Sequence, residues 1–286
     1  MQISKEIEER LFEQFHADCG GQGSQEKRFG EKLRLYRAPR FPERGGMGRE
    51  AYAEWQREIL QGKGETVPRV YEGMELFFRG IVCAGQAWIL ADGRIWDWCV
   101  QEYLEKGGRP EWFWQFAELA RLERVLGRHG RQIADVRLHF LPVQEEAGRA
   151  GCREEREKLP FEVRLFEGEE LWELKGRTGF RHALCGSGLS PDRLAVAAVC
   201  QNRIVGVAGA AEDCPAMWQI GVDVKEGWEG KGIGSGLVRL IKEEVSARGA
   251  IPFYGTSQSH IASINTALSA GFLPAWSEVY CRSRER

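Results

Sequence analysis

The stretch from Met217 to Gly249 constrains the fold more than any other part of the chain. It begins with apolar residues at alternate positions, namely Trp218, Ile220, Val222 and Val224. That two-residue period predicts a β-strand. A glycine-dense turn follows at 227–236, and apolar residues then recur at helical spacing as far as Val245. A strand, a glycine turn and a helix in this order offer unpaired backbone N–H groups and a positive helix end to a phosphate.

Two well-known nucleotide loops are excluded by the glycine spacing. A P-loop needs Lys followed by Ser or Thr, whereas Lys231 is followed by Gly232. The dinucleotide pattern G-x-G-x-x-G fails because Ser235 and Leu237 stand where its third glycine is required. The next predicted strand, near Phe253–Ser257, also lacks the terminal acidic residue that would bind a ribose.

The run E-G-K-G-I-G from Glu229 to Gly234 resembles the pyrophosphate loop Q/R-x-x-G-x-G/A of the GCN5-related N-acetyltransferases (GNAT). Gly232 and Gly234 match that pattern, whereas Glu229 stands where the family usually has Gln or Arg. Asn202–Gly206 is similar to the family's strand before the cofactor strand. His260–Phe272 is similar to its N-x-x-A/S…G-F helix, with His260 in place of the Asn that contacts the cofactor.

The resemblance covers residues 161–280 and implies a C-terminal GNAT fold with a mixed, mostly antiparallel sheet. Tyr254–Ser257 and Pro274–Trp276 also resemble, more weakly, the zwittermicin-resistance-type bacterial branch. With the preceding N-terminal half, the predicted fold class is α/β (α+β).

The resemblance also implies acetyl-CoA as the cosubstrate, with its pyrophosphate at Gly230–Ser235. Glycines let the backbone approach a phosphate closely, because no Cβ stands in the way. Since a carboxylate repels a diphosphate, we expect Glu229 to point to solvent or to pair with Lys231 or Lys225. The implied cofactor-binding residues are Ile220, Val222, Val224, Glu229, Gly230, Lys231, Gly232, Ile233, Gly234, Ser235 and His260.

The catalytic residues that the family often uses are missing. The glutamate of many relatives corresponds to Trp218 or Gln219, and the tyrosine that often acts as acid corresponds to Ala267. Tyr254 and His260 are the catalytic candidates; Tyr280 is a further substitute.

Two functions remain open at this point. The first is an N-acetyltransferase that acts on a primary amine of a small molecule or a protein by direct attack. Positioning the amine and a water-mediated base would then carry much of the catalysis. The second is a catalytically weak acyl-CoA-binding sensor or partner-binding protein, which the missing acid and base permit.

Composition limits the partners and the compartment. The 286 residues carry a formal net charge of −2, which recruits neither nucleic acid nor an anionic membrane. The chain has no run of 18 apolar residues and no signal-peptide pattern, so we expect a cytoplasmic protein. Its eight cysteines form no C-x-x-C pair and its five histidines do not cluster, so free thiols and no metal site are predicted.

Charge and periodicity divide the chain into two predicted domains, 1–150 and 151–286, joined by the charged segment Gln144–Lys158. The N-terminal domain reads as a smaller α/β module without a catalytic constellation. Its basic stretch Gly20–Glu50 predicts a solvated loop, with a phosphate-binding arm as the alternative. We expect the strands and helices of residues 70–142 to form one wall of the acceptor site. The alternative is an independent partner-binding module.

Overall fold

The computed structural model of the chain describes residues 4–20, 25–41, 44, 46–105, 109–143, 161–175, 179–184 and 186–284. The residues form two compact units. One contains Glu8–Leu138 and Ala275–Arg286, and the other contains His139–Pro274 together with Gln2–Ile7. The predicted linker and the predicted boundary between residues 150 and 151 lie outside the described residues, so the boundary stays a prediction.

The N-terminal unit alternates helices with strands. Its helices are α1 (Lys5–Cys19), α2 (Arg49–Gln61), α3 (Trp96–Cys99), which continues as a π-helical segment (Val100–Glu105), a 3₁₀ turn (Pro110–Trp112) and α4 (Phe116–Gly127). Its strands are β1 (Glu26–Phe29), β2 (Leu33–Arg37), β3 (Glu75–Cys83), β4 (Gln86–Ala91), β5 (Arg131–Pro142) and β11 (Phe272–Ser283), the last two of which have residues in both units.

These strands form a mixed sheet in the order β1-β2-β4-β3-β11. β3 and β4 form a hairpin whose two turn residues, Ala84 and Gly85, have positive φ values of 48° and 72°. β2 lies parallel to β4, and β11 lies antiparallel to β3. The predicted solvated loop at Gly20–Glu50 is therefore wrong for β1 and β2, which form a hairpin with Leu33 and Leu35 buried.

Four charged side chains are completely buried in this unit. Asp18 of α1 accepts hydrogen bonds from the backbone N and the Nε of Arg69, both at 2.7 Å. Arg79 of β3 donates from Nε to Glu278 of β11 at 2.8 Å, and its Nη2 lies 3.5 Å from Asp18 Oδ2. All four side chains have an exposed fraction of zero. Two positive and two negative charges thus compensate one another inside the apolar core, which removes the large penalty of an unpaired buried ion.

The C-terminal unit contains the strand, glycine turn and helix predicted for Met217–Gly249, together with further strands and helices. Its strands are β6 (Glu162–Glu167), β7 (Asp192–Cys200), β8 (Arg203–Cys214), β9 (Met217–Val224) and β10 (Ile251–Ser257), and its helices are α5 (Glu169–Lys175), α6 (Ile233–Ala247) and α7 (Ile261–Ser269).

The sheet of this unit is mixed and mostly antiparallel, which confirms the predicted fold class. β6, β7, β8 and β9 pair antiparallel in sequence order, and β10 then pairs parallel to β9. A tight turn joins β7 to β8, and its residues Gln201 and Asn202 both have positive φ. Residues 139–142 of β5 belong to this unit and lie beside β10. α6 packs its buried face, which includes Leu237 and Ile241, toward the sheet.

Within the described ranges, every helix is too short or too polar to cross a bilayer. The described part of the chain contains no grouping of His, Cys, Asp and Glu side chains suited to a metal ion. The cysteines in these ranges are free thiols, and five of the six are buried.

Candidate active site

β9 and β10 separate from each other halfway along their length. They pair in parallel only where Ile251–Tyr254 faces Met217–Ile220. Beyond that point β9 keeps its antiparallel partner β8 as far as Val224, and β10 continues to Ser257, but no further pairing joins the two. One edge of residues 221–224 therefore faces an opening rather than a strand. A chain of amides could form hydrogen bonds along this edge, in the way a strand adds to a sheet.

The glycine loop lies at the end of β9 and leads into α6. Among the described residues, no backbone group accepts a hydrogen bond from the N–H groups of residues 229–235. The first such bond of the helix is donated by Gly236 to Gly232 O, at 3.0 Å. The unpaired N–H groups and the positive end of the 15-residue helix α6 together favour an anion at this loop.

Gly232 is the N-cap of α6 and has a left-handed conformation, with φ 76°. Gly230 has φ 71°, so two of the loop glycines occupy a region that L-residues rarely adopt. A Cβ added at either position would meet no atom within 4 Å. By contrast, Gly234 has ordinary helical surroundings, and a Cβ there would contact Val224 and Thr266 at 3.5–3.6 Å.

Among the described residues of the loop, no ion pair joins the two charged side chains, Glu229 and Lys231. Lys231 donates from Nζ to Gly227 O at 2.8 Å and lies over the Trp228 ring, 4.8 Å from its centroid. Glu229 is exposed. Ser235 donates its hydroxyl to Gly232 O at 3.1 Å, so this side chain braces the loop. Backbone groups, rather than these side chains, therefore present the positive potential of the loop.

The predicted cofactor residues on β9 lie beside this loop. Ile220 is buried and is the last β9 residue paired with β10, opposite Tyr254. Val222 and Val224 are partly buried on the stretch without a β10 partner, and their methyl groups lie within 4 Å of a Cβ built on Gly234. Ile233 is buried at the start of α6. The structure thus brings the predicted strand residues to the helix start.

Tyr254 is buried at the point where β9 and β10 separate. Its hydroxyl lies 2.8 Å from Ser263 Oγ on α7. Burial raises the pKa of this phenol, the hydrogen bond with Ser263 opposes that rise, and the charge of Asp223 adds to it. Tyr254 is therefore protonated at neutral pH, which suits a proton donor and excludes a base.

The other two candidates are placed differently. His260 is exposed at the N-cap of α7, and within the described residues its ring has no hydrogen bond to Tyr254. Tyr280 belongs to the N-terminal unit. The centroid of its ring lies 5.9 Å from the centroid of the Tyr71 ring and 5.9 Å from the guanidinium carbon of Arg137. The structure does not join His260 to Tyr254 as a catalytic pair.

Asp223 is a site residue that the sequence analysis did not identify. Its Oδ2 accepts hydrogen bonds from the backbone N–H groups of His182 (2.7 Å) and Ala183 (2.9 Å). This carboxylate attaches a short segment, residues 180–184, to the face of the sheet. The only signal in the sequence was an acidic residue near the end of a mainly apolar strand.

Two glycines of the sheet make room for the same segment. A Cβ on Gly221 would lie 1.8 Å from His182 O, and one on Gly209 would lie 1.9 Å from Ala183 O. These distances are far shorter than any real contact, so both positions require glycine while the segment stays in place. Residues 180–184 thus lie directly on β8 and β9, next to the opening between β9 and β10.

Comparisons with known proteins agree with this geometry. Residues 154–272 match the model of the acetyltransferase (GNAT) family. No curated protein gives a significant match. The finer resemblance to the zwittermicin-resistance branch is not shown by these findings and stays a prediction.

Several solved structures are similar to parts of the chain. One is a GCN5-related N-acetyltransferase-like protein from Streptococcus suis, 19% identical over 59% of this chain and 69% of its own, with a TM-score of 0.43. A GNAT-family acetyltransferase from Novosphingobium aromaticivorans is 15% identical over 55% and 69%, with a TM-score of 0.39. An acetyltransferase from Salmonella typhimurium, solved with acetyl-CoA, is 20% identical over 32% and 64%, with a TM-score of 0.26. With TM-scores below 0.5, these similarities add nothing to the family match.

Proposed function

Since residues 154–272 form a domain of the acetyltransferase (GNAT) family, we propose that the protein transfers the acetyl group of acetyl-CoA to a primary amine of a small molecule or a protein. The observation that carries the proposal is the set of unpaired N–H groups at residues 229–235, placed where β9 and β10 separate. A pyrophosphate needs such donors, and an acyl-pantetheine arm needs an unpaired strand edge beside them.

In this proposal the N–H groups of Gly230, Gly232 and Gly234 donate hydrogen bonds to the pyrophosphate. The N–H groups of Lys231, Ile233 and Ser235 are further donors. Residues 221–224 of β9 bind the amides of the pantetheine arm. Both interactions use main-chain atoms, so they tolerate an exposed Glu229 in the position where relatives carry Arg or Gln.

The chemical step is direct attack. The neutral amine nitrogen forms a bond to the thioester carbonyl carbon, the C–S bond then breaks, and the thiolate leaves with the electron pair. Tyr254 donates its phenolic proton to that thiolate, and the proton lost by the acceptor nitrogen restores the phenol through solvent. Holding the amine against the thioester removes much of the entropic barrier.

The acceptor side of the site is proposed to include residues 180–184. Asp223 holds the amides of His182 and Ala183 over the sheet, so the segment is fixed beside the opening that would receive the acyl group. A rigid backbone segment next to the reacting carbon would hold the acceptor amine in position for attack.

The test is an acetylation assay with the purified full chain, acetyl-CoA and a panel of small amines and amine-bearing peptides. Free CoA is measured together with the mass of the product. The proposal requires at least one amine to gain 42 Da in step with CoA release. CoA release that is the same with and without every amine would contradict it.

The alternative, an acyl-CoA-binding protein with little transfer activity, has one observation in its favour. The strand positions nearest to the glutamate base of many relatives hold Trp218 and Gln219, and neither an indole nor an amide takes a proton from an ammonium. Saturable acetyl-CoA binding by calorimetry, without product from any amine, would establish this alternative.

A further inference from the structure

A large cleft in the N-terminal unit is lined by six arginines and is distinct from the glycine loop. Its volume is 1010 Å³, at the upper end of the range for small-molecule sites. Every lining residue lies within Glu8–Leu138 or Ala275–Arg286, so the cleft belongs to that unit alone. The arginines are Arg44, Arg49, Arg131, Arg137, Arg282 and Arg284.

The carboxylates of the cleft do not balance these charges. Three of its lining residues are acidic, so the lining has a formal excess of three positive charges. Arg131 is paired with Glu75 at 3.0 Å and Arg137 with Asp135 at 2.8 Å. The Arg131–Glu75 pair is largely shielded from water and fixes one wall of the cleft, whereas the side chains of Arg137 and Asp135 are each about one-third exposed.

Two further arginines at the end of β11 are held less firmly. Arg282 is exposed; with the Gln132 amide turned so that its oxygen faces the guanidinium, Arg282 donates to this neutral partner at 3.0–3.2 Å. Arg284 is paired with Glu123 at 2.8 Å, but both side chains are well exposed. An exposed ion pair of this kind contributes at most about 1 kcal/mol to stability. An incoming anion can therefore replace Glu123 as the partner of Arg284 with little loss of free energy.

Like charges gathered in a concave surface raise the local concentration of anions, since low-dielectric walls focus the field. Guanidinium groups are also the donors that best match the paired oxygens of phosphates and carboxylates. We propose that this cleft binds a small molecule carrying at least two anionic groups, phosphate or carboxylate, at a site separate from the acetyl-CoA loop.

The experiment is isothermal titration of the full chain with inorganic pyrophosphate and, separately, with citrate. Because pyrophosphate is also a ligand for the glycine loop, the titrations use Gly232→Asp protein, whose loop carries a repelling charge. The proposal expects saturable binding of at least one probe that weakens as ionic strength rises. Tighter binding of pyrophosphate assigns phosphate as the recognised group, and tighter binding of citrate assigns carboxylate.

The variant to compare is Arg282→Gln/Arg284→Gln; because both side chains are exposed, we expect the fold to be preserved. It should bind the preferred probe at least tenfold more weakly. Arg164→Gln/Arg193→Gln removes the same charge from exposed positions on β6 and β7 and should leave the affinity within twofold. Thermal unfolding of each variant checks that the fold is intact. Absence of saturable binding of both probes, or equal weakening in the two double variants, overturns the proposal.

Discussion

Gly232 has two roles in the loop: it adopts the backbone conformation that the turn requires, and it offers an N–H donor. Its φ of 76° needs a residue that tolerates the left-handed region, and its exposed N–H belongs to the set of donors at the start of α6. A β-branched residue such as Val would strain the backbone here, so Gly232→Val would disturb the fold as well as the ligand site. Asn and Asp tolerate this conformation best among the residues with a side chain.

We therefore expect Gly232→Asp to weaken acetyl-CoA binding at least tenfold, because a carboxylate at the loop repels the pyrophosphate. Gly232→Asn has the same shape without the charge and should retain more of the affinity. Calorimetry at low and high salt measures both variants, and the difference between them should shrink at high salt. Equal affinity of the two variants at low salt would show that the pyrophosphate does not bind at this loop.

The phenol of Tyr254 gives a second prediction at the scale of one residue. Tyr254→Phe should lower kcat by about 10²-fold, the usual contribution of a general acid, with little change in KM for acetyl-CoA. Ser263→Ala removes the hydrogen-bond partner but keeps the phenol, so it should reduce kcat less.

The pH profile provides an independent measurement for Tyr254. Since burial raises the pKa of this phenol, the proton that it donates is still present at pH 9. The fall in kcat at alkaline pH should therefore begin above about pH 10, the ordinary range of tyrosine. A kcat that survives Tyr254→Phe unchanged would be inconsistent with its role as the acid.

Among the elements, the segment at residues 180–184 is held by one carboxylate and by the burial of Phe180, Ala183 and Leu184 in an apolar cluster. Asp223 receives both hydrogen bonds on one oxygen, and Gly209 and Gly221 let the segment lie against the sheet. The segment contributes no regular secondary structure of its own, so its position depends on these contacts.

Asp223→Asn keeps the size of the side chain but loses the charge that strengthens both hydrogen bonds. Amide hydrogen exchange in a peptide covering residues 179–184 should become faster, and KM for the acceptor should rise several-fold while the affinity for acetyl-CoA stays the same. Gly221→Ala should have the same effect by steric displacement. Unchanged exchange in both variants would mean that other contacts hold the segment.

Local sequence patterns predicted most helices and strands, whereas contacts between residues far apart in the sequence were not predicted. The hairpin at Gln201–Asn202, the glycine loop and the helix after it all depend on neighbours in sequence, and the structure places them where the residues indicate. The β1–β2 hairpin was missed because its first strand, Glu26–Phe29, is polar and four residues long. The hydrogen bonds of Asp223 span 41 and 40 residues, a distance over which periodicity gives no information.

The buried cluster of Asp18, Arg69, Arg79 and Glu278 joins distant parts of the chain, so it could not be predicted from the sequence. Its hydrogen bonds join residues 51 and 199 positions apart. The one indication of this cluster in the sequence is Arg79, an arginine within the otherwise mostly apolar strand β3. Such an arginine needs carboxylates around it, but the pattern of the strand does not reveal where in the chain they lie.

Arg79→Met should lower the free energy of unfolding by about 3–5 kcal/mol, because it leaves the carboxylate of Glu278 buried beside an apolar side chain. The double variant Arg79→Met/Glu278→Leu removes both partners and should be less destabilised than the sum of the two single variants. Urea unfolding of the four proteins measures this coupling. Additive losses would mean that Arg79 and Glu278 do not interact in the folded protein.

The division into units also affects how the chain can be dissected. Ala275–Arg286 belongs to the N-terminal unit, and residues 139–143 belong to the C-terminal one. Cutting within 144–158 would therefore remove β11 from one unit and part of β5 from the other. The two predicted roles of the N-terminal half, a wall of the acceptor site or an independent module, are better separated by point variants than by truncation.

The position of Glu278 also sets an order of events during synthesis. A ribosome that has made Arg69 and Arg79 must add about two hundred further residues before the carboxylate that pairs with Arg79 exists. Until then the nascent N-terminal unit holds two arginines against the single carboxylate of Asp18, and it lacks the strand that covers β3. Chains arrested before residue 275 should accordingly remain sensitive to protease throughout residues 8–138. Residues 8–138 would thus be translated before residues 139–274 but would not reach their native state until β11 had been made.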